Sequence, residues 1–129
     1  MDSSKHSKCL VRGQPVLLTP EEVVRQKLLY QMLFELGYPL ALVSVEKKVG
    51  TRRYDIVSYD RTMAPLLLIE CKADQITGET LSQALGYNGV LAAPFICLAG
   101  ANEIKTIWQG GSAPFLPRYE ELHAKVRRG

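Results

Sequence analysis

Between residues 19 and 36 the apolar positions recur at helical spacing: Val24, Leu28 and Met32 form a stripe, with Val23 and Leu36 beside it. Thr19-Pro20-Glu21-Glu22 precedes the stripe, with a capping residue, a proline at the first helical position and a glutamate three after the cap. Gly37 and Pro39 follow it. The pattern predicts a helix over Thr19 to Leu36. Beyond it the period shortens. Leu40 to Val45 is apolar and Val-rich, Arg53 to Tyr59 is β-prone, and Leu66 to Lys72 opens on four consecutive aliphatic residues, so three strands are expected. Asp60 to Pro65 separates the second and third strands with turn-forming residues at both ends, as an antiparallel hairpin requires. Thr77 to Val90 reads as a second helix, Phe95 to Ala99 and Ile104 to Trp108 as two more strands, and Arg118 to Arg127 as a last helix after Pro114 and Pro117. Residues 1–15 read as a loose arm, and Gly110 to Pro114 as a mobile connector. The order α-β-β-β-α-β-β-α with no internal repeat predicts one α/β domain over residues 1–129.

Length and composition narrow the class. A chain of 129 residues with 47% hydrophobic and 22% charged side chains suits one folded domain with a core of its own. The net charge of +3 permits an anionic partner without requiring one. Met1 to Lys8 has no apolar block behind its charges and so lacks the secretory pattern. The uncharged stretch Asn88 to Asn102 is broken by Pro94 and Gly100, so no membrane span is expected. Cys9, Cys71 and Cys97 are odd in number and form no C-x-x-C pair, which fits reduced thiols and a cytoplasmic location. His6 and Cys9 have the spacing of half a zinc site, but no second ligand pair accompanies them.

The chemistry concentrates where the aliphatic run Leu66 to Ile69 ends in Glu70-Cys71-Lys72. Strand alternation sends Glu70 and Lys72 to one face and Cys71 to the other. A hairpin pairing Tyr59 with Leu66 places Asp55, four steps further out, opposite Glu70. Two carboxylates with Cβ atoms about 5 Å apart repel unless a proton or cation lies between them. Oxygen ligands of this kind suit a hard ion such as Mg²⁺, which takes one or two carboxylates and keeps waters for substrate and nucleophile. Metal-assisted phosphodiester hydrolysis uses such a site.

Asp55 followed by Glu70-Cys71-Lys72 resembles the D…E-x-K signature of the PD-(D/E)xK nuclease superfamily. Glu22 to Gln26, Leu36 to Pro39, Arg53 to Val57, Leu68 to Ala73 and Gln83 to Asn88 together resemble the N-terminal nuclease domain of type I restriction enzyme R subunits. The likeness covers most of the chain, and Gln83-x-x-x-Tyr87 is similar to that family's Q-x-x-x-Y motif. It implies a restriction-endonuclease-like sandwich, a central mixed sheet of four to five strands flanked by helices. It implies a DNA endonuclease in which Asp55, Glu70 and the backbone carbonyl of Cys71 bind Mg²⁺ or Mn²⁺. Lys72 would activate the attacking water and stabilise the phosphate charge, Glu22 would reach toward the metal, and Gln83 and Tyr87 would align the site or contact the backbone of the nucleic acid. The expected partners are DNA, a separate motor or specificity subunit, and a second copy of the chain. The sequence contains no G-x-x-x-x-G-K-[ST] phosphate loop, so no ATP site is expected in this chain. Ala99-Gly100-Ala101-Asn102 stands where those relatives carry a threonine-asparagine-glycine turn.

Plainer readings remain open at several of these positions. Glu22 completes a capping box with Thr19. Glu70 and Lys72 make an ordinary ion pair at a strand end. Gln83 and Tyr87 are a half-buried polar pair. Lys47, Lys48, Arg52 and Arg53 are either a solvated hairpin tip or, at Lys48, Arg52 and Arg53, contacts to phosphate. His123 is assigned no role, and Trp108 belongs to the core. The rivals to an independent enzyme are a non-catalytic nucleic-acid- or protein-binding module on this fold, and an accessory nuclease active only within a defence complex. An intact D…E-x-K favours the enzyme, because a binder has no need to hold two carboxylates together.

Overall fold

Thr19 caps helix α1 (Pro20–Phe34) as its sequence predicts, its hydroxyl oxygen accepting the Glu22 amide at 3.1 Å. The computed structural model describes residues 6–9, 11–13 and 15–128. Ahead of α1, strands β1 (His6–Lys8) and β2 (Pro15–Leu17) pair antiparallel, where a loose arm was expected; residues 1–5, 10 and 14 of that arm lie outside the described residues. After α1 the strand expected at Leu40 starts later, because Pro39 leads into a 3₁₀ turn over Leu40–Leu42. Strand β3 then covers Val43–Val49 and β4 Arg52–Tyr59, joined across Gly50 with φ +64°. Strand β5 covers Pro65–Cys71, helix α2 Gly78–Leu91 after the cap Thr77, β6 Phe95–Ala99 and β7 Ile104–Trp108. The predicted connector holds a short edge strand, β8 (Gly111–Ala113), reached through Gly110 at φ +95°. Helix α3 (Tyr119–Arg128) ends the described chain.

The main sheet has six strands in the order β3-β4-β5-β6-β7-β8, more than the four to five expected because β8 adds an edge. Every neighbouring pair is antiparallel except β5 with β6, which are parallel and joined through α2. The sheet is therefore mixed and flanked by helices, as the sequence predicts. On one face Ile56, Leu67, Ile69 and Cys97 pack in one buried cluster with Leu28, Leu29 and Met32 of α1 and with Tyr119 and Leu122 of α3. On the other face Val57 and Leu68 cluster with Tyr87 and Ala93, and Ile96 and Leu98 with Ala84 of α2. Strand β5 is buried from Leu66 to Cys71, which explains its unbroken aliphatic run. Trp108 lies at the edge of the first cluster, 5.9 Å from the Phe95 ring, and His123 packs edge-on against Tyr119. All three cysteines are free and buried. Among the described residues no helix is long and apolar enough to cross a membrane.

The parallel pair has a consequence for function. In open α/β sheets, ligands bind beyond the carboxyl ends of parallel strands. Glu70-Cys71-Lys72 lies at that end of β5, beside Leu98 and Ala99 of β6.

Candidate active site

From Ser58 opposite Leu67 to Ile56 opposite Ile69 the β4–β5 ladder keeps one register, and one further step sets Asp55 across from Glu70. The pairing of Tyr59 differs from expectation: a bulge between Ser58 and Tyr59 puts it opposite Pro65 rather than Leu66. The two acids still meet, because the bulge lies on the turn side of the ladder and shifts nothing beyond it.

A second irregularity aims Asp55. Alternation from Ile56 would place Tyr54 on the α1 face, yet Tyr54 is buried with Val57, and its hydroxyl donates to the Tyr87 carbonyl at 2.8 Å on the α2 side. The side exchange falls at Asp55, where the β3–β4 ladder skips from Val45–Ile56 to Lys47–Tyr54 and Glu46 adopts φ +53°. A non-glycine residue with that backbone costs on the order of 1 kcal/mol or more, and such positions cluster at functional sites. The Asp55 carboxylate consequently reaches Arg25 of α1, Oδ1 lying 3.5 Å from Nη1, while Oδ2 accepts the Cys71 amide at 2.8 Å.

Glu70 Oε2 has no amide or guanidinium of that kind. The residue is 8% exposed, and its Oε2 is buried with no hydrogen-bond partner. Burial, then a hydrogen bond shared with the neighbouring Asp55 carboxyl, and then the Asp55 charge, push its carboxyl up to about 9. The strand-end ion pair with Lys72 is not formed; the Lys72 ammonium instead donates to the side-chain oxygen of Gln83 at 3.3 Å. Lys72 follows the last residue of β5, and its amide donates to the Ala99 carbonyl at 2.8 Å, so its backbone is fixed beside β6.

The first helix contributes a residue that the sequence reading passed over. Glu22 is buried among cations, its carboxylate taken by Arg12 at 3.3 Å, Arg25 at 3.4 Å and the Gln26 amide at 2.7 Å. It does not complete the capping box, since the Thr19 amide is bound by the Leu17 carbonyl. Its neighbour Glu21 is the glutamate that senses the acidic pair: burial and then the Asp55 charge raise its carboxyl above the ordinary range, while Arg25 and Lys72 oppose the shift. Helical spacing alone does not tell which of two adjacent glutamates feels the charge at a strand end.

Gln83 and Tyr87, one turn apart on α2, split between two partners. Gln83 meets Lys72, whereas Tyr87 packs edge-on against Tyr54, with the Arg52 guanidinium 5.2 Å above its ring. Lys48, opposite Arg53 in the β3–β4 ladder, is exposed along with Arg52 and Arg53, just ahead of Asp55. Beyond Lys72, Ala73 lines a groove of about 640 Å³ that extends past Pro20, Val23 and Phe115. Gly100 forms part of its wall, where a Cβ would meet the Asp74 carbonyl oxygen at 2.8 Å, so this turn needs its glycine for close backbone approach.

Among the described residues no group of three or more His, Cys, Asp and Glu side chains is gathered to hold a metal ion. Asp55 and Glu70 form a pair, the number of carboxylates that Mg²⁺ takes from protein when it keeps several waters. The unpartnered Oε2 of Glu70 beside a second carboxylate is the feature that fits a hard cation.

Comparison with known proteins agrees with this architecture. Residues 20–112 match the family described as Type I restriction enzyme R protein N terminus (HSDR_N). No curated protein matches the sequence. The fold is similar to that of a fragment assigned as the HsdR subunit of a type I restriction enzyme from Vibrio vulnificus YJ016, with a TM-score of 0.65 and 17% sequence identity over 84% of this chain. The matched region is 25% of that chain.

Proposed function

Because this chain belongs to the type I restriction enzyme R protein N-terminus family, we propose that it is a divalent-metal-dependent DNA endonuclease of the PD-(D/E)xK type. The observation that carries the reading is the buried, unpartnered Glu70 oxygen beside Asp55. Burying a carboxyl against a second carboxylate opposes folding unless something offsets it, and a module that only binds has no use for the arrangement.

In this reading Asp55, Glu70 and the carbonyl of Cys71 hold Mg²⁺ or Mn²⁺. The bound ion supplies charge neutralisation at the phosphate and a water of lowered pKa. Lys72, steadied by Gln83, presents its ammonium to the scissile phosphate, where a fixed cation stabilises the charge that develops in the transition state. Glu21, at the start of α1, feels the Asp55 charge of the same centre. Lys48, Arg52 and Arg53 meet the flanking phosphates from the hairpin tip, and Tyr87 keeps Arg52 in place. A motor and a specificity subunit acting with it, and a second copy for duplex cleavage, are the partners this role implies.

Supercoiled plasmid and single-stranded DNA incubated with Mg²⁺, with Mn²⁺ and with chelator test the proposal. Metal-dependent cutting by the unaltered chain is expected, with Lys72→Ala slower by on the order of 10²-fold or more and of unchanged melting temperature. Equal cutting by both proteins points to a contaminant. No cutting under any condition, with DNA binding retained, supports the non-catalytic module instead.

A further inference from the structure

Behind Asp55 lies a set of charged side chains that the proposed chemistry leaves unused. The Arg25 side chain is 7% exposed and contacts three carboxylates: Glu22 at 3.4 Å, Glu46 at 3.3 Å and Asp55 at 3.5 Å. Arg12, between β1 and β2, braces two of them, at 2.9 Å from Glu46 and 3.3 Å from Glu22. Both Nε and Nη1 of Arg25 are buried without a hydrogen-bond partner, so its hold on Glu46 and Asp55 is electrostatic rather than that of a directed fork. Buried ion clusters of this kind are often replaceable by apolar side chains with no loss of stability, so stability alone does not account for one. Its place is informative: Arg25 touches Asp55 on one side and, on the other, Glu46, the residue whose left-handed backbone marks the point where Asp55 swings toward α1.

The geometry points to Arg25 as a positioning residue: braced by Glu22, Glu46 and Arg12, it holds the Asp55 carboxylate between the Cys71 amide and Glu70, ready to ligate a divalent cation. The inference rests on the metal-dependent reading above and extends it to a residue outside the D…E-x-K signature. It also gives the N-terminal hairpin a part in the site, since Arg12 lies between its two strands.

The alternative role for Arg25 is charge compensation, and the two roles predict opposite signs. Removing a cation that lies against a ligand carboxylate leaves the pocket more negative, and by Coulomb attraction alone a divalent ion binds more tightly. Removing a positioning residue lets the ligand swing away, and the ion binds more weakly despite the added negative charge.

Calorimetric titration of the full chain with Mn²⁺ separates them, with melting curves in chelator to confirm folding. Arg25→Met is expected to weaken Mn²⁺ binding by about tenfold or more, with Arg25→Lys intermediate and Arg12→Met about threefold weaker. Unchanged or tighter binding by folded Arg25→Met overturns the inference while leaving the metal site intact. If Arg25→Met does not fold, Arg12→Met decides: weaker binding supports the positioning role, and unchanged or tighter binding overturns it. Absence of Mn²⁺ binding by the unaltered chain overturns both this inference and the reading on which it rests.

Discussion

Glu70→Gln is expected to abolish metal-dependent DNA cleavage, lowering the rate by on the order of 10³-fold or more, about 4 kcal/mol of barrier height. The substitution is nearly isosteric, so the fold keeps its packing while the site loses one of its two carboxylates. The contrast with Lys72→Ala locates the defect. The lysine variant keeps Asp55 and Glu70 and should still bind Mn²⁺, losing only the cation at the phosphate, whereas Glu70→Gln should lose the metal itself. Initial cleavage rates measured beside Mn²⁺ titrations read the two losses separately. A Glu70→Gln protein that still cuts at more than about a tenth of the normal rate contradicts the assigned role.

The second large effect concerns stability and pH. In the folded chain without metal, the Glu70 carboxyl is pushed up to about 9 by burial and by Asp55, against an ordinary carboxyl near 4.5 in the unfolded chain. Between those values the folded state keeps a proton that the unfolded state has released. Stability contributed by the protonated carboxyl is therefore fully present below about pH 4.5 and is lost as pH rises toward 9. In chelator, the melting temperature of the unaltered chain should fall across this window more steeply than that of Glu70→Gln, whose amide cannot ionise. Glu70→Gln should thus be the more stable protein at pH 8 and the inactive one, as expected where a site sacrifices stability for chemistry. Mn²⁺ should reverse the loss: at a hundredfold excess over its dissociation constant it adds about 2.7 kcal/mol, raising the melting temperature by roughly 10 °C at this chain length. Parallel melting profiles for the unaltered chain and Glu70→Gln, in chelator and in Mn²⁺, would show that Glu70 is not the group responsible.

Much of this arrangement was legible in the sequence because its causes are local. Thr19-Pro20 marks the start of α1 by capping chemistry, and the aliphatic run of β5 marks a strand covered on both faces. The juxtaposition of Asp55 with Glu70 followed from counting along a hairpin, and it survived a wrong starting pair because the bulge at Ser58/Tyr59 is confined to the turn end. What stayed hidden has non-local causes. Arg12 and Arg25 are separated along the chain from Glu46 and Asp55, and nothing in their immediate neighbours announces a buried charge cluster. Glu22 fits a familiar capping pattern, yet its carboxylate is held by Arg12 and Arg25, while its neighbour Glu21 feels the Asp55 charge. Strand β8 carries Gly-Ser-Ala, residues that read as a turn, and becomes a strand only because β7 offers it an open edge.

Diffraction from crystals grown with Mn²⁺, recorded for the anomalous signal of manganese, bears most directly on the claim that Asp55 and Glu70 jointly grip a cation. A single strong peak within coordination distance of an oxygen from each side chain, about 2.2 Å away, is the expected result. Manganese bound elsewhere, or Glu70 still unpartnered in the presence of saturating Mn²⁺, would contradict it.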